Sequence, residues 1–210
     1  YVSLSPYQYG ANNPVNNIDV NGDSIWYTRN GDIVTMHVTA KIFNNSSDNI
    51  NMARAAKDIV SDIKSTYEGK FEWSDNKTYN LKVDMDLKVA TSMKDVENSD
   101  HLFVLADSDS KGARGATSML GGKVMTLASS DFANNNWLSN NLSYNKTFTA
   151  THEFGHAIGL SHSQNPFNIM KQGGVVHNSN SNQRVIMLQQ QNNLNNNLVV
   201  DIYNLGLKWR

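Results

Sequence analysis

Apolar and polar side chains alternate from Ile33 to Phe43 in a run rich in β-branched residues, which predicts a strand. The period then changes. Met52, Ala55, Ala56, Ile59, Val60 and Ile63 recur at steps of three and four, the spacing of a helix with one apolar face, and Asp48 or Asn49 stands where a cap is expected. Leu81, Val83, Met85 and Leu87 share one face of a second strand over residues 79–89, leaving Asp84 and Asp86 on its wet face. Residues 101–106 are almost continuously apolar and predict a buried strand. A Gly-rich approach from Ala113 leads into a further strand over residues 123–128. Helices are expected over residues 145–159 and from Gln183 into an Asn-rich tail, the second carried by Val185, Leu188, Leu194 and Leu198. This order is mixed α/β with room for one mixed sheet, and no internal repeat interrupts it.

Residues 1–23 break the pattern. They hold two of the three prolines and many turn formers, the composition of a linker, so residues 24–210 are expected to form the folded domain. Tyr1 is not an initiator, and the chain reads as a piece of something longer whose export signal would lie upstream.

Composition narrows the function. Only 18% of the 210 residues are charged, the net charge is −1 and the pI is about 6.6. A nucleic-acid partner or an anionic membrane surface would call for a clustered cationic excess, so neither is expected. No apolar run approaches the ~18 residues of a spanning helix. With no cysteine, disulfides, thiolate metal sites, Cys nucleophiles and thiol latches are all excluded within this chain.

The chemistry is concentrated in the stretch His152-Glu153-Phe154-Gly155-His156-Ala157-Ile158-Gly159-Leu160-Ser161-His162. Histidines at i and i+4 project from one helix face about a turn apart, which suits two nitrogen ligands at ~2.0–2.1 Å from one zinc ion. Glu153 lies beside that face, placed to reach water at the ion rather than the ion itself. Gly159 can end the helix in a left-handed conformation and let the chain swing back, so that His162 becomes the third ligand. Three neutral imidazoles leave a fourth tetrahedral position for water, the pattern of a catalytic site. Ordinary residue frequencies produce this set at these offsets in roughly one chain of this length in a hundred thousand.

This stretch, with Asn168-Ile169-Met170 eight residues after His162, resembles the metzincin zinc proteases, and the wording around the ligands and Ser163 is most similar to their matrixin branch. The resemblance implies an α+β zincin fold with a twisted mixed five-stranded sheet, an active-site helix, a Met-turn and a C-terminal helix. It implies an N-terminal part over residues 24–162 and a C-terminal part over residues 163–210. It also implies a zinc endopeptidase with Glu153 as general base and Met170 packing beneath the imidazoles. Substrate in that family lies antiparallel to an edge strand, for which Lys123, Val124, Met125, Thr126, Leu127 and Ala128 are the candidate. Thr149 and the loop over residues 171–183 would line the pocket beyond the cleaved bond.

Three departures qualify the likeness. Lys171-Gln172 follows Met170 in place of Tyr-Pro, the paired histidines of a structural zinc are missing, and there is no cysteine latch. The expectation is one catalytic zinc ion and a bacterial type of domain, acting as a monomer on a peptide or protein substrate.

Pro6-Tyr7-Gln8-Tyr9 and Asn12-Asn13-Pro14 resemble the end of the core in bacterial RHS (YD-repeat) proteins, although Val20 stands where that family has Pro. That resemblance implies a secreted toxin or effector tip, delivered into a target cell, with an upstream RHS shell and a cognate immunity protein. A catalytically silent metal- or peptide-binding module of the same fold is the rival reading, and the intact Glu153 counts against it. Asp107-Ser108-Asp109-Ser110-Lys111-Gly112 alternates oxygen ligands as calcium loops do, but it lacks a closing Glu and reads as a turn. His37, His101 and His177 stand alone in sequence and read as ordinary residues.

Overall fold

The computed structural model describes residues 25–73, 75–107, 115–133, 147–173 and 179–190. The lead-in over residues 1–23, the turn over residues 108–112, His177 and the Asn-rich tail lie outside them.

The expected mixed sheet and helices are present, but the sheet has seven strands rather than five. They are β1 (Ile25–Asn30), β2 (Ile33–Asn44), β3 (Gly69–Glu72), β4 (Thr78–Ala90), β5 (His101–Ala106), β6 (Gly115–Thr117) and β7 (Val124–Ala128). Strands β4, β2, β5 and β7 run parallel in that order, with antiparallel β3 and β6 on the two outer flanks. Strand β1 folds back antiparallel on β2 through Gly31 and Asp32, with Gly31 at a φ of 62° that suits glycine. It takes the first half of one edge of β2 and β5 takes the second half.

The alternation in β2 sends Val34, Met36, Val38, Ala40 and Ile42 into the main core, and Tyr79, Leu81, Val83 and Met85 of β4 join them. Helix α1 (Met52–Tyr67) covers this face with Ala55, Ala56, Ile59, Ile63 and Tyr67. Each fully buried Ile of that stripe contributes about 1.5–3 kcal/mol. Its cap is Asn51, whose side chain accepts from the Arg54 backbone N–H at 3.0 Å. Asp48 instead accepts from the Ser129 hydroxyl at 2.6 Å, so the cap falls later than expected. At the far end of α1 the buried Arg184 donates to the carbonyls of Tyr67 (2.8 Å) and Glu68 (2.9 Å), closing the helix from outside.

Strand β5 is buried on both faces: Phe103 and Leu105 enter the main core, while Leu102 and Val104 pack with Val124 beneath Phe43, Met93 and Val96. His101, at its start, is only 1% exposed, and burial together with the nearby Lys123 cation pulls its pKa down to about 3.

The expectation that residues 123–128 form an edge strand requires correction. Strand β7 pairs with β5 on one side and β6 on the other, and Ser118 N–H donates to the Val124 carbonyl at 3.1 Å. Val124, Met125, Leu127 and Ala128 are buried, Thr126 is paired opposite Ala116, and Lys123 turns inward to donate to the Asn98 carbonyl at 3.2 Å. The outer position belongs to β6. Three residues, two of them Gly and Ala, carry no alternation by which a strand could be recognised.

Candidate active site

Helix α2 (Phe148–Ala157) carries the histidine-rich stretch and is buried on nearly every side. It is shorter than the predicted span; residues 145 and 146 are not described, and at the other end Gly159 supplies the stop. Gly159 adopts a φ of 90°, its N–H donates to His156 O (3.0 Å), and Leu160 N–H reaches back to Gly155 O (2.8 Å). These two bonds form a Schellman motif with the glycine in its left-handed position. The chain reverses, and His162 returns beside the helix.

The three imidazoles converge. Ring centroids lie 4.8 Å apart for His152 and His156, 4.7 Å for His156 and His162, and 5.4 Å for His152 and His162. His152 Nδ1 is 2.7 Å from the Ile169 carbonyl, and His156 Nδ1 is 2.7 Å from the Leu160 carbonyl. A carbonyl only accepts, so each Nδ1 carries the proton and each Nε2 keeps its lone pair.

Zinc fits this donor set. Two nitrogens on one tetrahedral zinc stand about 3.3 Å apart, and the Nε2 atoms of His156 and His162 are 3.1 Å apart. One nitrogen from each of the three rings lies within 4.8 Å of the others, close enough for small ring rotations to bring all three onto one ion. Burial disfavours the protonated form of both His152 and His156 and lowers their pKa values, which keeps them ready as ligands. His152 is buried, His156 half-buried and His162 exposed, so the cluster opens on the His162 side.

Glu153 is 7% exposed, and its desolvation raises the carboxyl pKa, the largest of the effects acting on it. Its Oε2 accepts from the Thr117 hydroxyl at 2.6 Å. Met170 is fully buried with its sulfur against Gly155, leaving no room there for a side chain. The Tyr67 hydroxyl donates to the Thr151 carbonyl at 2.9 Å and sits 3.8 Å from the Met170 sulfur. Burial pushes its pKa up, so it stays a donor. The Thr151 hydroxyl in turn donates to the buried Asp62 at 2.5 Å.

The Met-turn is fastened to helix α3 (Ser181–Gln190) by a two-way amide pair: Asn168 Nδ2 donates to Gln183 Oε1 (2.7 Å), and Gln183 Nε2 donates to Asn168 Oδ1 (2.9 Å). Gln183 also closes a capping box with Asn180, so α3 begins two residues before the predicted start. The sequence held this signal in Asn180-Ser181-Asn182-Gln183. Phe148, one turn before His152, stacks on its ring at 6.1 Å between centroids and was a readable i, i+4 neighbour. Thr117, Tyr67 and Asp62 carried no local signal, because each meets α2 from a distant part of the chain. Thr149 packs against Gly115 of β6. Asp107, the described end of the suggested calcium loop, accepts from the Ser47 backbone N–H at 3.3 Å.

A helix that offers two imidazoles, a glycine reversal and a third imidazole from the returning loop make up the donor set of a zinc metallopeptidase site. The sequence matches the matrixin family (Peptidase_M10) over residues 26–193, and the chain belongs to that family. Its α+β architecture is the metzincin type of zincin fold. Among solved structures it is similar to metalloproteinase-II from Bacteroides fragilis, with 15% identity, a TM-score of 0.41 and coverage of 72% of this chain. It spans about half, 52%, of that protein's length. It is also similar to archaemetzincin from Methanopyrus kandleri, with 16% identity, a TM-score of 0.37 and coverage of 80% of this chain and 97% of that one. No curated protein matches the sequence. None of the described helices is long and apolar enough to cross a membrane.

Proposed function

We propose that the protein is an endopeptidase that cleaves extended peptide segments, with Glu153 as general base. The observation that carries this reading is a buried carboxylate between the three-imidazole cluster and the outermost strand of the sheet. His152, His156 and His162 would hold zinc, which when bound supplies Lewis acidity toward a peptide carbonyl and makes water nucleophilic near neutral pH. Glu153 takes a proton from the attacking water at its carboxylate and returns it to the leaving amine nitrogen. Its raised pKa suits both halves of that exchange. A peptide would lie along the outer edge of β6, where no described strand pairs, and would gain main-chain hydrogen bonds by strand addition.

The test is digestion of casein or a peptide library by the wild type and by Glu153→Ala, with and without a chelator. Cleavage by the wild type alone, lost with chelator, and zinc retained by the variant are expected. Equal cleavage by both proteins would sink the mechanism.

We also propose that this peptidase is the secreted effector tip of an RHS-type protein. Support comes from the Pro6-Tyr7-Gln8-Tyr9 and Asn12-Asn13-Pro14 segments alone. A Tyr-Asp repeat shell encoded upstream of Tyr1 and growth arrest of target cells by the wild type but not Glu153→Ala are expected. Harmless expression of the active enzyme in such cells would argue against this role.

A further inference from the structure

Resting on the endopeptidase reading, we propose that Thr117 is the positioning residue of the general base, fixing the Glu153 carboxylate to the strand along which the peptide would lie. Thr117 and Gly115 stand two apart on β6, so they face the same side, toward α2. Each meets Glu153. The Thr117 hydroxyl is 2.6 Å from Oε2, and a side chain at Gly115 would come within 3.1 Å of Oε1 and 3.0 Å of Cγ. The absent side chain lets the strand approach the helix, and the hydroxyl two residues on grips the carboxylate that this approach brings near. Ala116, between them, is exposed and faces the other way.

A hydroxyl is the right group for this task because it both donates and accepts. A second acceptor, the Glu153 main-chain carbonyl, lies 3.0 Å from the same Oγ1. One hydroxyl therefore meets both the carboxylate and the main chain of the same residue, which fixes the side chain relative to its own helix. A carboxylate free of this partner would spread over several rotamers, and only some would reach water at the ion. Gly115, Thr117 and Glu153 are thus tied into one unit, in which a shift of the edge strand moves the base.

The experiment compares the zinc-loaded wild type, Thr117→Val, Thr117→Ala and Thr117→Ser on a fluorogenic peptide. Zinc affinity is measured by chelator competition, and crystal structures are determined for the zinc-free proteins. Val and Ala are expected to lower kcat about 10- to 100-fold, a part of the contribution of a placed general base. KM and zinc affinity should stay within about twofold, and Ser should restore kcat to within about threefold of wild type, because it keeps the hydroxyl. In the zinc-free Val variant Glu153 should occupy more than one rotamer. Wild-type kcat in the Val and Ala variants, a loss expressed in KM, or a single Glu153 rotamer in the zinc-free Val variant would each overturn the proposal. If wild type and Glu153→Ala cleave alike, the endopeptidase reading itself fails, a result separate from any of these.

Discussion

His101 gives a prediction whose size follows from its burial beside the Lys123 cation. The unfolded chain takes up a proton there near pH 6.5, while the folded chain resists until about pH 3, so the histidine makes stability fall as the pH drops across that window. Between pH 7 and pH 5 the loss is about 2 kcal/mol, the free energy of protonating an ordinary imidazole in the unfolded state only. The perturbation is His101→Gln, which keeps a polar side chain but cannot titrate. Urea unfolding of chelator-treated wild type and variant at the two pH values gives four free energies. His152, His156 and Glu153 titrate in both proteins, so their effects cancel in the double difference. That difference should be about 2 kcal/mol, with the variant less sensitive to acid. Equal pH dependence in the two proteins would show that His101 is not held neutral in the folded state.

Other perturbations address the site directly. Activity should rise with pH through an acid limb lying above the ordinary carboxyl value of 4.5, because Glu153 must lose its proton to act and burial holds that proton more tightly. A kcat/KM profile already flat at pH 4.5 would contradict this. Gly159→Ala should lower stability by about 1–2 kcal/mol and weaken zinc binding, since a left-handed residue precedes His162. Thermal melting and chelator competition measure the two effects. Gln183→Ala should cost about 1–3 kcal/mol by leaving the buried Asn168 amide without its partner, read by urea unfolding.

Much of the frame was legible because its signals are local. The alternation of β2 and β4, the apolar run of β5 and the three- and four-residue steps of α1 each report a face turned to one core. The histidine spacing and Gly159 likewise needed only a helix and its stop to be read. What escaped was made by distant contacts or by segments too short to show a period. Strand β6 is a strand only because β7 offers it partners, and that pairing displaced the expected substrate edge. Strand β1 was signalled by Asn30-Gly31 between Tyr27 and Ile33, a hairpin cue that went unread beside the stronger run that follows. The caps of α1 and α3 shifted by two or three residues because several Asn, Asp and Ser side chains compete for each role, and tertiary partners decide among them.

The amide pair between Asn168 and Gln183 has a reach beyond its own neighbourhood. The turn it steadies presents the Ile169 carbonyl to His152, so the first histidine of the cluster is braced from helix α3. Trimming the chain ahead of residue 183 would leave all three histidines in the sequence and still slacken their grip. The carboxyl-terminal helix is thus part of what sets the geometry of the histidine cluster, although it contributes no histidine to it.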